Sequence, residues 1–255
     1  MNYKIIDENN IIYNLKIEEI INLIKNNCIT NKNNHQKKFY KLIDNKKIEI
    51  NNKIVCETQF ICHRINTLNE LNQIDKQFGT EIDLRDDSNS RNLKLVHDPF
   101  SEGESFEEYL KNYKHNTLIL NIKSERIELE ILLLLKKYNI KNYFFLDSSF
   151  PMIYLLNKEY KNNNIACRFS EYENINFFLE NKDMFSTVWV DCFSKFPLNK
   201  EIYELIKKEN KKICIVSPEL QKQPEKIELY RNYIIQNNII PDMICTKAYN
   251  IYKWI

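Results

Sequence analysis

The stretch ICHRINTLNELNQIDKQFGTEIDLRDDSNSRNLKLVHDPF, residues 61–100, carries most of what the sequence says about fold and chemistry. Short apolar runs within it end in reactive side chains: His63 with Arg64, Glu81 with Asp83, and His97 with Asp98. Side chains alternate along a strand with period two, so Glu81 and Asp83 are expected on one face. Two neighbouring carboxylates repel unless a proton or cation lies between them. A hard, oxygen-ligated divalent metal is a natural occupant. His63 and His97 close runs on either side, and an imidazole exchanges a proton near neutral pH. Metal-holding carboxylates and two imidazoles together suit attack on a phosphodiester.

The same pattern continues outward. From residue 56 onward, β-rich runs (TQFICH, TEIDLR, LKLVHD, TLILNIK, NYFFLDSS, IACRFSE, TVWVDCF, KICIVSPEL, DMICTKAY) alternate with helical stretches such as SERIELEILLLLKKY and NKEIYELIKKEN. That alternation predicts a parallel α/β fold. The runs exceed by one the eight strands of a closed barrel, and no helix fits between TEIDLR and LKLVHD. Those two are therefore expected as a hairpin-like excursion across the polar DDSNSRN turn. An open doubly wound sheet is the alternative, but no Gly-rich nucleotide turn occurs. The runs end at their C-terminal side in polar groups: His63, Asp83, His97, Asn121 with Lys123, Asp147, Arg168, Asp191, Glu219 and Lys247. In a TIM barrel that rim assembles the active site.

HRI at 63–65, EID at 81–83 and HD at 97–98 resemble the HRG, E-x-D and HD motifs of the glycerophosphodiester phosphodiesterases, TIM barrels of the phospholipase-C-like phosphodiesterase superfamily. The resemblance runs from about residue 56 to the C-terminus, and SSF at 148–150 is similar to that family's fourth-strand SF motif. It departs where Ile65 replaces Gly, where a PEN-like segment after HRG is shortened or absent, and where SPEL (217–220) and CTK (245–247) stand for Trp-Thr and Thr-Asp. The resemblance implies a TIM (β/α)8 barrel over 56–255. Glu81 and Asp83 would ligate Mg²⁺ or Ca²⁺, and His63 and His97 would act as acid and base. Asn121 falls where the family has a third acidic ligand in a Glu-x-Lys motif, while related phospholipase-D-like toxins have Asp there. A neutral carbonyl keeps an oxygen donor but removes a charge, which should weaken cation affinity. Lys123 and Arg64 are expected on the phosphate. Arg168 and Glu219, with Glu171 and Asp191, are expected to line the pocket and choose the alcohol.

Residues 1–55 form an Asn-rich extension, expected as a helix over about 17–26 plus a polar segment of helix or loop, with no chemistry. Lysine and arginine number 37 against 35 acids, which gives no reason to expect a nucleic-acid partner. Seven scattered cysteines without a CxxC pair predict reduced thiols. The charged MNYKIIDENN start and the lack of a long apolar run predict a soluble, cytoplasmic protein without a transmembrane segment. His35 and His115, in polar segments, are expected at the surface, and Trp254 as a packing anchor. The expected substrate is a small, water-soluble glycerophosphodiester. Two rivals are a cyclising lyase or transferase on a glycosyl or polyol phosphodiester, and a catalytically silent barrel that binds a phosphate or glycan.

Overall fold

A computed structural model describes residues 1–30, 37–43, 46–87 and 92–255. The chain begins with β1 (Asn2–Asp7), β2 (Ile12–Lys16), α1 (Ile17–Thr30), β3 (Phe39–Ile43), β4 (Lys46–Glu49) and α2 (Asn52–Glu57). The four strands make an antiparallel sheet of order β2-β1-β3-β4. Its first turn closes because the Asp7 carboxylate accepts the Asn9 and Ile11 N–H groups at 3.0 and 2.9 Å, while Asn10 takes a left-handed φ of 63°. Helix α1 buries Ile17, Ile20, Ile21 and Ile24, one face of a 3.6-residue repeat.

This sheet corrects the expectation of helix or loop after residue 37. The β3 strand turns Phe39 and Lys41 inward, and a lysine at an inward position breaks the apolar alternation that marks a strand. His35 lies outside the described residues.

Next come β5 (Gln59–Cys62), α3 (Leu68–Gln73), β6 (Gly79–Asp86), β7 (Leu93–Leu95), β8 (Glu104–Ser105), α4 (Phe106–Asn112), β9 (Leu118–Ile122) and α5 (Glu128–Lys137). The chain continues with β10 (Tyr143–Leu146), α6 (Phe150–Lys158), β11 (Ala166–Phe169), α7 (Ile175–Glu180) and β12 (Thr187–Val190). It ends with α8 (Lys200–Lys208), β13 (Lys212–Val216), α9 (Ile227–Gln236), β14 (Met243–Thr246) and α10 (Ile251–Trp254). The main path is β10-β9-β6-β5-β14-β13-β12-β11, with all neighbours parallel. A parallel bridge between Phe145 and Ile165, with the Phe145 N–H donating to Asn164 O at 2.8 Å, joins the two ends. The fold is a TIM barrel. As the spacing predicted, β7 returns antiparallel along β6 without a helix between them.

Two apolar cores hold the barrel. Inside the ring, Ile61, Ile119, Phe144, Trp189, Val216 and Cys245 fill the lumen, and a larger core lies between the strands and the outer helices. Gly79 opens β6 where a Cβ would come within 2.4 Å of both Ile61 Cδ1 and Thr117 O, so any side chain would push neighbouring strands apart.

Candidate active site

The turn after β5 sets the centre of the site. Arg64 adopts φ 54°, a left-handed conformation that aims its N–H at Glu81 Oε2, 2.8 Å away. Ile65 then donates its N–H to Glu81 O at 2.9 Å. The left-handed residue is Arg64, and Ile65 keeps a negative φ, so the missing glycine imposes no backbone strain. Asn66 clamps the second acid: its Nδ2 donates to Asp83 Oδ2 and its Oδ1 accepts the Asp83 N–H, both at 2.9 Å. Glu81 and Asp83 thus share the inward face of β6, almost wholly buried. Burial, and next the Glu81 charge, hold the Asp83 carboxyl above the usual carboxylate range.

Across the ladder, Asn121 sits level with Asp83 and donates Nδ2 to Glu81 Oε1 at 2.8 Å. Lys123 places Nζ 3.7 Å from Asp83 Oδ1 and 3.6 Å from Asp147 Oδ2. Asp147, itself at φ 64°, receives Arg168 in a two-pronged pair at 2.6 and 3.1 Å. The third guanidinium nitrogen reaches Asp191 at 2.8 Å, and Gln221 Nε2 donates to the other Asp191 oxygen, also at 2.8 Å. Burial disfavours the Arg168 charge, but Asp147 and then Asp191 outweigh it and hold its pKa above the ordinary value.

His63, Arg64, Glu81, Asn121, Lys123, Arg168 and Glu219 all line one cavity of about 320 Å³ at the C-terminal end of the barrel. Asp83 is fully buried and is not among the lining residues. His63 Nε2 is 3.7 Å from Glu81 Oε2, and its Nδ1 is buried without a partner. Burial, then the Lys247 and Arg64 charges, push the His63 imidazole down to about 3, so it is neutral at pH 7.

His97 is not part of that lining. It lies on the excursion after β7, half-exposed, with Nδ1 2.7 Å from Asp98 Oδ1. The Asp98 carboxyl is held below the usual carboxylate range, first by this hydrogen bond and then by the His97, Arg64 and Arg85 charges. Arg85 ties the excursion down by donating to His97 O at 3.1 Å and to Lys123 O at 2.8 Å.

Glu219 turns back on the scaffold, accepting from the Ser217 and Thr246 hydroxyls and from the Lys247 N–H. Glu171 points away from the cavity and fastens residues 193–195 through Ser194 and the Lys195 N–H. His115 is half-buried against Tyr113 with Nε2 2.9 Å from Ile74 O, not a free surface residue. Trp254 is fully buried and donates to Ser217 Oγ at 2.8 Å.

Three residues escaped the sequence assignment of roles. Asn66 positions Asp83, and its only signal is its place directly after His-Arg-Ile. Lys247 lines the cavity beside His63, donating Nζ to His63 O at 3.3 Å. Trp189, in the TVWV run, has no role assigned from the sequence; it lines the same cavity, and its indole N–H is buried and unpartnered.

The donor set suits a hard divalent cation. Asp83 Oδ1 and Asn121 Oδ1 are buried oxygens without hydrogen-bond partners, on adjacent strands at one level, beside the Glu81 carboxylate. Among the described residues no three His, Cys, Asp or Glu side chains cluster as metal ligands, so the Asn121 amide oxygen is needed to complete a third protein ligand. Two carboxylates and an amide leave room for water and substrate oxygens, as Mg²⁺ prefers.

The fold is a TIM barrel whose C-terminal mouth gathers carboxylates, cations and a histidine. The fold is that of the glycerophosphodiester phosphodiesterases. The structure is similar to a glycerophosphoryl diester phosphodiesterase from Parabacteroides distasonis, with a TM-score of 0.55, 15% identity, and coverage of 85% of this chain and 88% of that one. It is also similar to an Oleispira antarctica phosphodiesterase in complex with the product sn-glycerol-3-phosphate, with a TM-score of 0.53, 14% identity, and coverage of 77% of this chain and 95% of that one. No protein-family model and no curated protein matches the chain in sequence. Among the described residues no helix is long and apolar enough to cross a membrane.

Proposed function

We propose that the protein is a metal-dependent phosphodiesterase acting on a glycerophosphodiester-like small molecule. The observation that carries this reading is a buried His63 sharing one cavity with the Glu81 carboxylate and the cations Arg64, Lys123 and Lys247. Held by Glu81, Asp83 and Asn121, Mg²⁺ or Ca²⁺ would polarise a non-bridging phosphate oxygen. Arg64, Lys123 and Lys247 bind the phosphate and offset the charge that builds on its equatorial oxygens. His63, inside the cavity beside Glu81, takes the base role. Asp98 accepts the Nδ1 proton of His97 and orients the ring, and as the imidazolium His97 would deliver its Nε2 proton to the departing alkoxide while His63 takes the proton of the nucleophile. Asn66 and Arg168 touch the acids that surround the phosphate, and so set positions.

The test is turnover of glycerophosphodiesters followed by phosphorus NMR. A glycerol phosphate resonance should appear, vanish on chelation and return with Mg²⁺ or Ca²⁺. A cyclic phosphate would instead identify a neighbouring hydroxyl as the nucleophile, making the enzyme a cyclising lyase. Inertness toward every diester, with no cation bound, would leave a silent binding barrel.

A further inference from the structure

Among the described residues, β10 and β11 are the neighbouring strands of the ring joined by a single bridge, and a second cavity lies between them. It measures about 410 Å³, within the ~300–1,000 Å³ typical of small-molecule sites, and its apolar walls are Ile153, Ala166, Cys167, Phe177 and Phe185. Arg168 lines both this cavity and the mouth, and its partner Asp147 lies on the same wall, so their ion pair is the threshold between the two. Beside it Ser148 presents a buried hydroxyl without a partner. Farther out, Phe177 is 44% exposed and meets the edge of Phe150, 47% exposed, at 5.9 Å between centroids. Isolated exposed rings need no explanation, but an exposed pair at the lip of an apolar cavity extends its wall outward.

A ligand spanning both cavities must be anionic at one end and apolar at the other. We propose that the cavity between β10 and β11 receives an alkyl or aryl group on one alcohol of the phosphodiester, so that esters of apolar alcohols are preferred over those of polar ones. The proposal rests on the phosphodiesterase reading of the mouth. One acid, Glu173, also lines the cavity, where beside an aromatic ring it would suit a quaternary ammonium. Its carboxylate is engaged by the Ser170 hydroxyl at 2.8 Å, which favours the apolar occupant.

The experiment compares methyl, butyl and hexyl esters of glycerol phosphate with glycerophosphocholine, as monomers, by kcat/KM and by calorimetric binding to the wild-type protein. Each added methylene should raise kcat/KM by about three- to fourfold until the cavity is full. Phe177→Ala should flatten that rise and leave methyl ester turnover unchanged. Phe177→Leu should restore most of the slope, and matching thermal melts guard against misfolding.

Turnover that ignores chain length, or that favours the choline ester, overturns the inference and leaves the phosphodiesterase reading standing. Absence of turnover, with hexyl ester binding that tightens over methyl ester and loses the difference in Phe177→Ala, upholds the cavity and sinks the hydrolase. Activity that appears only when an octyl ester aggregates overturns a pocket for a single chain, because the apolar contact would then be with a lipid surface.

Discussion

Two of the regions in which this molecule buries charge treat it differently. Where the β1–β4 sheet meets the barrel, Lys41 donates to the carbonyls of Tyr252 and Lys253 at 3.1 and 2.7 Å. Arg231 donates to Trp254 O at 3.1 Å, Glu49 O at 2.9 Å and Asn232 Oδ1 at 3.2 Å. Both cations are engaged by fixed protein acceptors, and they staple the first strands to the last helix. At the mouth, by contrast, His63 Nδ1, Asp83 Oδ1, Asn121 Oδ1 and Trp189 Nε1 are buried without hydrogen-bond partners, and Asp83 Oδ1 has only the Lys123 ammonium at 3.7 Å. Buried polar atoms are normally satisfied, and orphans also occur apart from the mouth, as on Glu128, but their grouping on residues of one charged cavity and the Asp83 beside it marks a place prepared for something outside the chain. Staple and site are told apart by their unsatisfied atoms rather than by the number of charges.

The largest test of that contrast is loss of chemistry without loss of fold. His63→Ala and His97→Ala should each lower kcat/KM by roughly 10²- to 10⁴-fold while thermal unfolding stays close to wild type. Wild-type-like turnover in either variant would falsify the acid–base assignment.

Stability should respond next. Arg168→Met leaves Asp147 and Asp191 facing each other without their shared cation. Breaking one side of a buried pair costs ~3–5 kcal/mol, and the guanidinium is 31% exposed, which places this variant near the lower end, about 3 kcal/mol. Urea unfolding reads it. Restoration by pairing Arg168→Met with Asp147→Asn would show that the loss comes from stranded charge.

A smaller effect belongs to the staple. Burial, and next the Arg231 charge, push Lys41 down from 10.5 to about 7. Between those values the unfolded chain holds a proton that the folded protein has released, so stability rises as pH increases from 7 toward 10. Lys41→Met should lose this rise while other titrations remain. Parallel melting curves of the two proteins from pH 6 to pH 10 would contradict the assignment.

The contrast also explains what the sequence disclosed. The strand runs from residue 59 onward, the β6–β7 excursion and the polar rim were legible because each depends on period and order alone. The first sheet was hidden because Lys41 points inward where a strand pattern wants an apolar residue. Glu171 and Glu219 look like pocket acids in a string of letters. Glu219 does line the cavity while Glu171 is outside that lining, and the hydrogen bonds of both acids go to the scaffold. Trp189 belongs to core and cavity alike, because an indole among valines reads as core and is core, while the residue also lines the cavity. Direction of a side chain within a rim is a tertiary property, and no local spacing encodes it.

Asn121 gives the finest test, because it exchanges one orphan oxygen for a charged one. In Asn121→Asp the hydrogen bond from Nδ2 to Glu81 Oε1 disappears, and a third carboxylate joins Glu81 and Asp83. Without a cation their mutual repulsion should lower the melting temperature. With one, the extra charge should tighten Ca²⁺ or Mg²⁺ binding by roughly tenfold, or about 1.4 kcal/mol. Calorimetric titration measures the affinity directly, and melting with and without cation should show a larger gap in the variant than in wild type. A staple residue would give the opposite pattern, since breaking a satisfied contact lowers stability equally with and without the ion. An equal drop in both conditions would therefore move Asn121 from the site to the scaffold, and leave Glu81 and Asp83 to hold the cation without it.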